Sequence, residues 1–410
     1  MPIMKKIGIN KVFFYIYCVF SLIPIIVNAL WIIILKEFRG EFQYSNIKVT
    51  LGHETVLFIL TLFLLLFTIL CIFYFLFNKK RITFSPNYTI DVNRKRLELY
   101  ITLMILINFI LYIKTGIGKA GGAYVQKSYT FLIYFWNYDF FFWVYYYRYA
   151  LSRNKKYYFI VFLFCLFQLV QGWTAFVFNV FLCELFIRSR DKKNHLKLLL
   201  MVPLFFIGGG LLYTILFPLK FWIRTGSMKW ISVLDGFLRL SERLSFFSYS
   251  AVAVQNSNEI IDLYNQYNTE FAEAMSFFSP WVPSFILKVK SLRLMNNLVM
   301  LSAYPNFGTN TSAGVGPSYF YLLYKLGIEH LLLFLILCFV WTFIYKILID
   351  NLAVNDEENY NCSSYMFFLA ILNMFSGYTF RRYGTFIPAI WTFILLIFMG
   401  VFKIKRRRTI

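Results

Sequence analysis

The chain is dominated by uninterrupted apolar runs, each about as long as a bilayer is thick. A helix needs about 20 apolar residues to cross a hydrocarbon core of roughly 30 Å, and stretches of this kind lie at 12–35, 55–77, 97–113, 129–147, 198–219, 331–349, 363–380 and 385–402. Such a chain is expected to fold as an all-α, polytopic membrane protein, because in lipid every backbone amide must be paired within its own segment or in a closed barrel. Composition points the same way: 60% hydrophobic and 15% charged side chains leave too little polar surface to cover a water-soluble globule. The net charge of +22 would suit nucleic acid, but the basic residues stand in short clusters between apolar runs, where they act as topology signals. No nucleic-acid partner is expected.

A further apolar stretch, 157–187, decides the topology. Its ends carry Arg148, Arg153, Lys155 and Lys156 on one side and Arg188, Arg190, Lys192, Lys193 and Lys197 on the other. Read as one long helix, it leaves Lys and Arg evenly divided across the membrane. Read as a hairpin of two short helices turning near 168–174, with the N-terminus inside, it gathers them on the cytoplasmic side. The hairpin is therefore expected, giving about ten membrane segments and both termini cytoplasmic. Arms of about 15 residues span about 22 Å at 1.5 Å per residue, less than the hydrocarbon thickness, so they would support a cavity. The chain reads as one membrane domain over 1–410, with residues 220–330 as a single large loop on the outer side. The first run, preceded by Lys5, Lys6 and Lys11, has no small-x-small cleavage site and reads as an uncleaved helix. The 6 cysteines show no C-x-x-C spacing, so neither disulfides nor zinc are expected. The 50 Phe and 30 Tyr are better explained by AT-rich codons and interfacial aromatic belts than by sugar stacking.

The outer loop is nearly balanced in charge and carries two amphipathic stretches, 235–255 and 262–278, expected as helices lying on or near the membrane surface. Arg239 and Arg243, four apart, share a helix face on which two guanidinium forks suit a diphosphate; an ion pair between Asp235 and Arg239 is the plainer alternative. Arg224 and Arg293 are further phosphate candidates, with lysine Lys229 beside them. Arg381 and Arg382 are expected outside in a four-residue turn, against the positive-inside bias, where an anionic partner would favour them. His330 follows Glu329 at the start of a membrane helix, where an imidazole is placed to take a proton from a hydroxyl. Asp139 is expected near the middle of the fourth span, a costly position that marks it as a functional candidate. Glu184 is expected to reach the neighbouring basic cluster and carries no assigned chemistry.

From Tyr304 the chain reads YPNFGTNTSAGVGPSYFYLLYKLGIEHLLLFLIL, a Gly-rich loop, a Tyr/Leu stretch and then Leu-Gly-Ile opening a membrane helix. This resembles the end of the large periplasmic loop of O-antigen polymerases (the Wzy family) and of their relatives the O-antigen ligases. The resemblance implies a glycosyltransferase of the bacterial inner membrane that joins undecaprenyl-diphosphate-linked oligosaccharide repeat units at the periplasmic face, working with a flippase and a chain-length regulator. Polymerases of the family often place an Arg about ten residues before a Gly; here Arg224 precedes Gly236 with eleven residues between. Ligases carry a His shortly before the Tyr-Leu pair; here that place, before Tyr321 and Leu322, is taken by Ser318, which favours the polymerase. On this implication Arg239, Arg243, Arg224, Arg293, Arg381 and Arg382 hold the diphosphate, and His330 or Asp235 is the base. No D-x-D motif stands in the outer loop, so the reaction is expected to need neither metal nor cofactor. The alternatives are an O-antigen ligase and a lipid-linked oligosaccharide flippase; the flippase would show two similar halves and has no need of a long outer insertion.

Overall fold

A computed structural model of the chain describes residues 11–43, 45, 47–77, 88–116, 138–173, 175–188, 195–275, 293–305, 316–352, 354–355, 360–361 and 379–406. Its long helices are α1 (Lys11–Leu35), α2 (His53–Phe77), α3 (Arg94–Thr115), α4 (Tyr138–Arg148), α5 (Lys155–Val170), α6 (Ala175–Arg188) and α7 (His195–Thr225). Between them lie a 3-10 turn at Gly40–Phe42 and strand β1 (Tyr88–Val92). The central segment is a run of short helices: α8 (Val233–Ser245), α9 (Phe247–Gln255), α10 (Ser257–Tyr267), α11 (Ala272–Met275), α12 (Met295–Ala303) and α13 (Ser318–Leu326). Then follow α14 (Ile328–Leu352), the small strands β2 (Val354–Asn355) and β3 (Tyr360–Asn361), α15 (Thr379–Phe398) and β4 (Phe402–Arg406). The fold is mostly helical, and among the described residues 4 helices are long and apolar enough to cross a membrane: α2, α3, α7 and α14. Two shorter apolar helices, at Ser21–Leu35 and Ala389–Phe398, fall within α1 and α15. The expected span at 363–380 lies outside the described residues except for its last two positions, as does the first half of that at 129–147.

The stretch 157–187 breaks where the sequence suggested. Asn154 caps α5 by accepting from the Tyr157 amide at 2.8 Å. The helix ends in a Schellman turn: Trp173 N donates to Gln168 O at 2.9 Å, Gly172 N to Leu169 O at 2.8 Å, and Gly172 takes the left-handed φ of 80°. The chain then reverses, since Arg153, just before α5, reaches Glu184 near the end of α6 at 2.5 Å. Tyr146 of α4 also donates to Glu184, at 3.0 Å. Glu184 thus reaches Arg153 of the basic cluster, as expected, and with Tyr146 holds three elements together.

That junction belongs to one end of the bundle, which we call the foot. There β1 and β4 pair antiparallel, with Ile90 opposite Ile404. Asn93 N donates to Val401 O at 2.8 Å, and Arg96 Nη1 donates to Met399 O at 2.9 Å, tying the start of α3 to the end of α15. Arg148 Nη1 donates to Leu352 O at 2.9 Å, joining the ends of α4 and α14. Above these polar ties the core is aromatic: Phe142 stacks on Phe164 at 3.6 Å, and Tyr145, Tyr147 and Tyr157 are fully buried. These rings serve packing, each burying a large apolar area. On the other side of the long helices, Leu57, Leu64, Leu204 and Ile215 are exposed, as lipid-facing positions must be.

The central segment departs from the expectation of surface-lying helices. Ser232 caps α8, accepting from Asp235 N at 3.1 Å and donating to Asp235 Oδ2 at 2.9 Å. From there α8 runs lengthwise against α1 and α7. Gly236 permits the approach: a Cβ there would stand 2.2 Å from Thr214 Oγ1 and 2.9 Å from Gly210 O. Lower down, Leu240 meets Gly209, and Ser241 and Ser245 meet Asn28, two turns before the end of α1 and so about 10 Å along its axis at 1.5 Å per residue. Phe246, with φ 54°, turns the chain, and α9 returns. Phe247 stacks with Phe63 of α2 at 5.7 Å, and Gln255 bonds Thr50 N and Lys48 O just before the start of α2. Alongside it α13 rises in parallel: Ser318 Oγ donates to Ser250 O at 3.0 Å and Lys325 Nζ to Ser257 Oγ at 2.9 Å. The apolar face of α8 is covered by helices, and Asp235, Arg239, Ser241, Glu242 and Ser245 each meet a protein partner.

Two boundaries also shift. The second amphipathic stretch is two helices, α10 and α11, starting at Ser257 and divided around Phe271, whose φ is 57°. Arg381 and Arg382 are helical, within α15, and not in a turn; arginine is a good helix former.

Candidate functional site

At the end of α1 remote from the foot, two guanidinium groups flank the 3-10 turn. Arg39, just before it, stacks on Trp31 at 3.9 Å and lies 4.0 Å from Asp235 and 3.4 Å from Glu37. Arg239 stands one turn after Asp235 on α8, donates to Gln43 Oε1 at 3.3 Å and covers the Phe217 ring at 4.6 Å. Two cross-links, Arg39 to Asp235 and Arg239 to Gln43, therefore hold the same two segments together. Positions four apart on a helix face are about 6 Å apart at Cβ, so the two planar forks lie near one another; we call the place between them the mouth. Each is oriented by a ring and by a hydrogen bond or carboxylate, an arrangement suited to phosphate oxygens.

Behind this mouth is a carboxyl that is fully buried. Glu242 of α8 accepts from Ser248 N at 2.8 Å and Ser248 Oγ at 3.0 Å, bracing the turn at Phe246. Gly40 closes over it: a Cβ there would come within 2.7 Å of Glu242 Cγ, and its φ of 71° is left-handed. Burial pushes the Glu242 carboxyl up to about 8, with the Ser248 bonds and the Arg243 charge pulling back. A second buried carboxyl, Glu273, accepts from Met295 N at 2.5 Å and from Tyr319 Oη; burial raises it to about 7.

The predicted residues separate into several places. Asp235, Arg239 and Arg243 share α8, and the pairing of Asp235 is with Ser232 and Arg39 rather than with Arg239. Arg293 belongs elsewhere: its guanidinium stacks on Tyr267 at 3.8 Å, and its backbone is held by Asn268. His330 stacks on Phe271 at 4.4 Å with Tyr264 edge-on, beside the Glu273 cluster. Asp139 is exposed, at the second described residue of α4; the part of the expected span before Tyr138 lies outside the described residues. Arg224 closes α7; its side chain and those of Arg381 and Arg382 lie outside the described residues. Among the described residues no three His, Cys, Asp or Glu side chains gather as metal ligands, and Cys18, Cys71, Cys165, Cys183 and Cys338 are free thiols.

Sequence reasoning missed Arg39, Asn28, Glu242 and Glu273. Asn28 did give a signal, being the one amide in the first apolar run; the others resemble any loop or surface-helix charge. No protein-family model matches the chain, and neither does any curated protein or solved structure.

Proposed function

We propose that the protein is a membrane glycosyltransferase that polymerises undecaprenyl-diphosphate-linked oligosaccharide repeat units at the periplasmic face of a bacterial inner membrane, as an O-antigen polymerase does. The observation that carries the reading is the mouth, where Arg39 and Arg239 cross-link the 3-10 turn and α8 at the end of the bundle away from the foot. A polyprenyl diphosphate in the outer leaflet presents its headgroup at that depth, with its chain against the apolar flanks of α1 and α7.

In the reaction the acceptor sugar hydroxyl oxygen bonds to the anomeric carbon as the bond from that carbon to the diphosphate oxygen breaks. The electron pair leaves on the diphosphate, where the guanidinium charges of Arg239, Arg243 and Arg39 offset it. The hydroxyl proton passes to a base; Asp235, already engaged with Ser232, positions Arg39 instead, and His330 stands apart from the mouth against Phe271 and Tyr264. No metal is assigned a part. A chain-length regulator and a flippase are the partners such a reaction requires.

Deleting the gene in its host and resolving the surface polysaccharide beside the undecaprenyl-linked pool tests this reading. Lipid A core capped by a single repeat unit, with the ladder gone, is the expected result. Polymer accumulating on undecaprenyl diphosphate with bare core would make the protein a ligase, loss of both would make it a flippase, and an unchanged ladder would overturn all three.

A further inference from the structure

A polar seam runs inward from the mouth between α1 and α8. Asn28 and Trp31 stand one turn apart on α1; Asn28 meets Ser241 and Ser245, one turn apart on α8, and Trp31 lies under the Arg39 guanidinium. Asn28 is fully buried, and its Nδ2 lies 2.8 Å from Pro24 O, 2.8 Å from Ser241 Oγ and 3.1 Å from Ser245 Oγ. Its Oδ1 is also buried yet meets no hydrogen-bond partner among the described residues, and the same holds for the indole Nε1 of Trp31. Turning the amide over would put Nδ2 where Oδ1 now lies, so one polar atom is left over in either assignment. The seam thus contains a buried acceptor and, one turn nearer the mouth, a buried donor. Native interiors answer such groups with an ordered water or a ligand atom. A hydroxyl is the group that does both, accepting from the indole N–H and donating to the amide oxygen.

We propose that Asn28 and Trp31, with Ser241 and Ser245, form a hydroxyl-binding subsite beneath the Arg39 and Arg239 mouth. Its occupant is a water or a saccharide hydroxyl. The saccharide case rests on the polymerase reading, in which a sugar ring attached to a diphosphate held at the mouth would extend toward this seam; the water case does not. The subsite makes Asn28 a binding residue that no charge pattern would disclose.

Hydroxyl-radical footprinting of the purified full-length protein tests it, in micelles of an amine oxide, which has no hydroxyl, and of octyl glucoside, which offers a sugar. The fully buried Tyr145 is the internal reference. Trp31 is expected to be oxidised at least five-fold faster than Tyr145 in the amine oxide, and Asn28→Leu to remove that excess. If octyl glucoside protects Trp31 at least three-fold, the occupant is a saccharide hydroxyl; equal rates in both micelles make it water. Should Asn28→Leu aggregate, Ser241→Val puts methyl groups into the same seam and is expected to act alike. Trp31 oxidised no faster than Tyr145, or an excess that survives these substitutions, overturns the subsite. Such a result together with loss of the polysaccharide ladder on gene deletion leaves the polymerase reading standing, whereas an unchanged ladder with a footprinted seam overturns that reading and retains the subsite.

Discussion

Replacing Glu242 by Gln should make the protein more stable at neutral and alkaline pH while leaving it almost unchanged in acid. Burial lifts this carboxyl from its ordinary 4.5 to about 8, and at about 1.4 kcal/mol per pH unit the displacement amounts to about 5 kcal/mol as a ceiling. Between those two values the folded protein keeps a proton that the unfolded chain has already released. The contribution of Glu242 to stability is therefore fully present below about 4.5 and is lost as pH rises through about 8. Glutamine retains the contacts, its carbonyl accepting from Ser248 N and its amide donating to Ser248 Oγ, but has no proton to lose. The difference between variant and native protein should thus be near zero at pH 5 and grow to several kcal/mol at pH 8. Reversible unfolding in mixed micelles at pH 5, 6.5 and 8 measures it. Glu273 titrates in the same direction in both proteins and cancels from the difference. A difference that stays constant across this range, or shrinks with rising pH, would refute the argument that burial governs this carboxyl.

Other substitutions probe the remaining contacts. Gly236→Ala places a methyl against Thr214 and Gly210 and should cost about 1–3 kcal/mol through overpacking, read from thermal unfolding. Gly172→Ala forces a side chain into the left-handed conformation at the α5 cap and should cost about 1–2 kcal/mol by the same assay. Arg239→Ala should cut polymer in the surface-polysaccharide ladder at least ten-fold, with Arg239→Lys keeping part of it, because lysine retains the charge but not the fork. Membrane vesicles treated with a chelator should polymerise lipid-linked repeats at an unchanged rate; a loss restored by a divalent cation would refute metal independence.

The long helices were legible because hydrophobic length alone announces them, and the α5–α6 reversal because basic clusters at both ends of one apolar run admit few arrangements. The descent of α8 was not legible. DGFLRLSERLS has the same amphipathic pattern whether its apolar face meets lipid or protein, and the residues that settle it, Asn28, Gly209 and Gly210, belong to other helices. Arg39 was hidden for a related reason: nothing local distinguishes a loop arginine from one braced by Trp31 and by an aspartate on α8. The arginine pair in α15 shows the converse error, read as a break between spans although arginine extends a helix well.

The β1–β4 ribbon bears on how the molecule is assembled. Its strands come from either side of nearly all the helices, so on the ribosome Tyr88–Val92 emerges long before its partner exists. Until Phe402–Arg406 arrives, the first strand has open edges, and α3 lacks the clasp that Arg96 later makes with Met399 and Gly400. Zipping the two strands is thus a closing act available only to a chain whose intervening helices have inserted in the correct number and sense, since an odd error would leave β4 across the bilayer from β1. The ribbon acts as a parity check on membrane insertion, and chains that fail it would carry an unpaired strand for quality-control proteases to find.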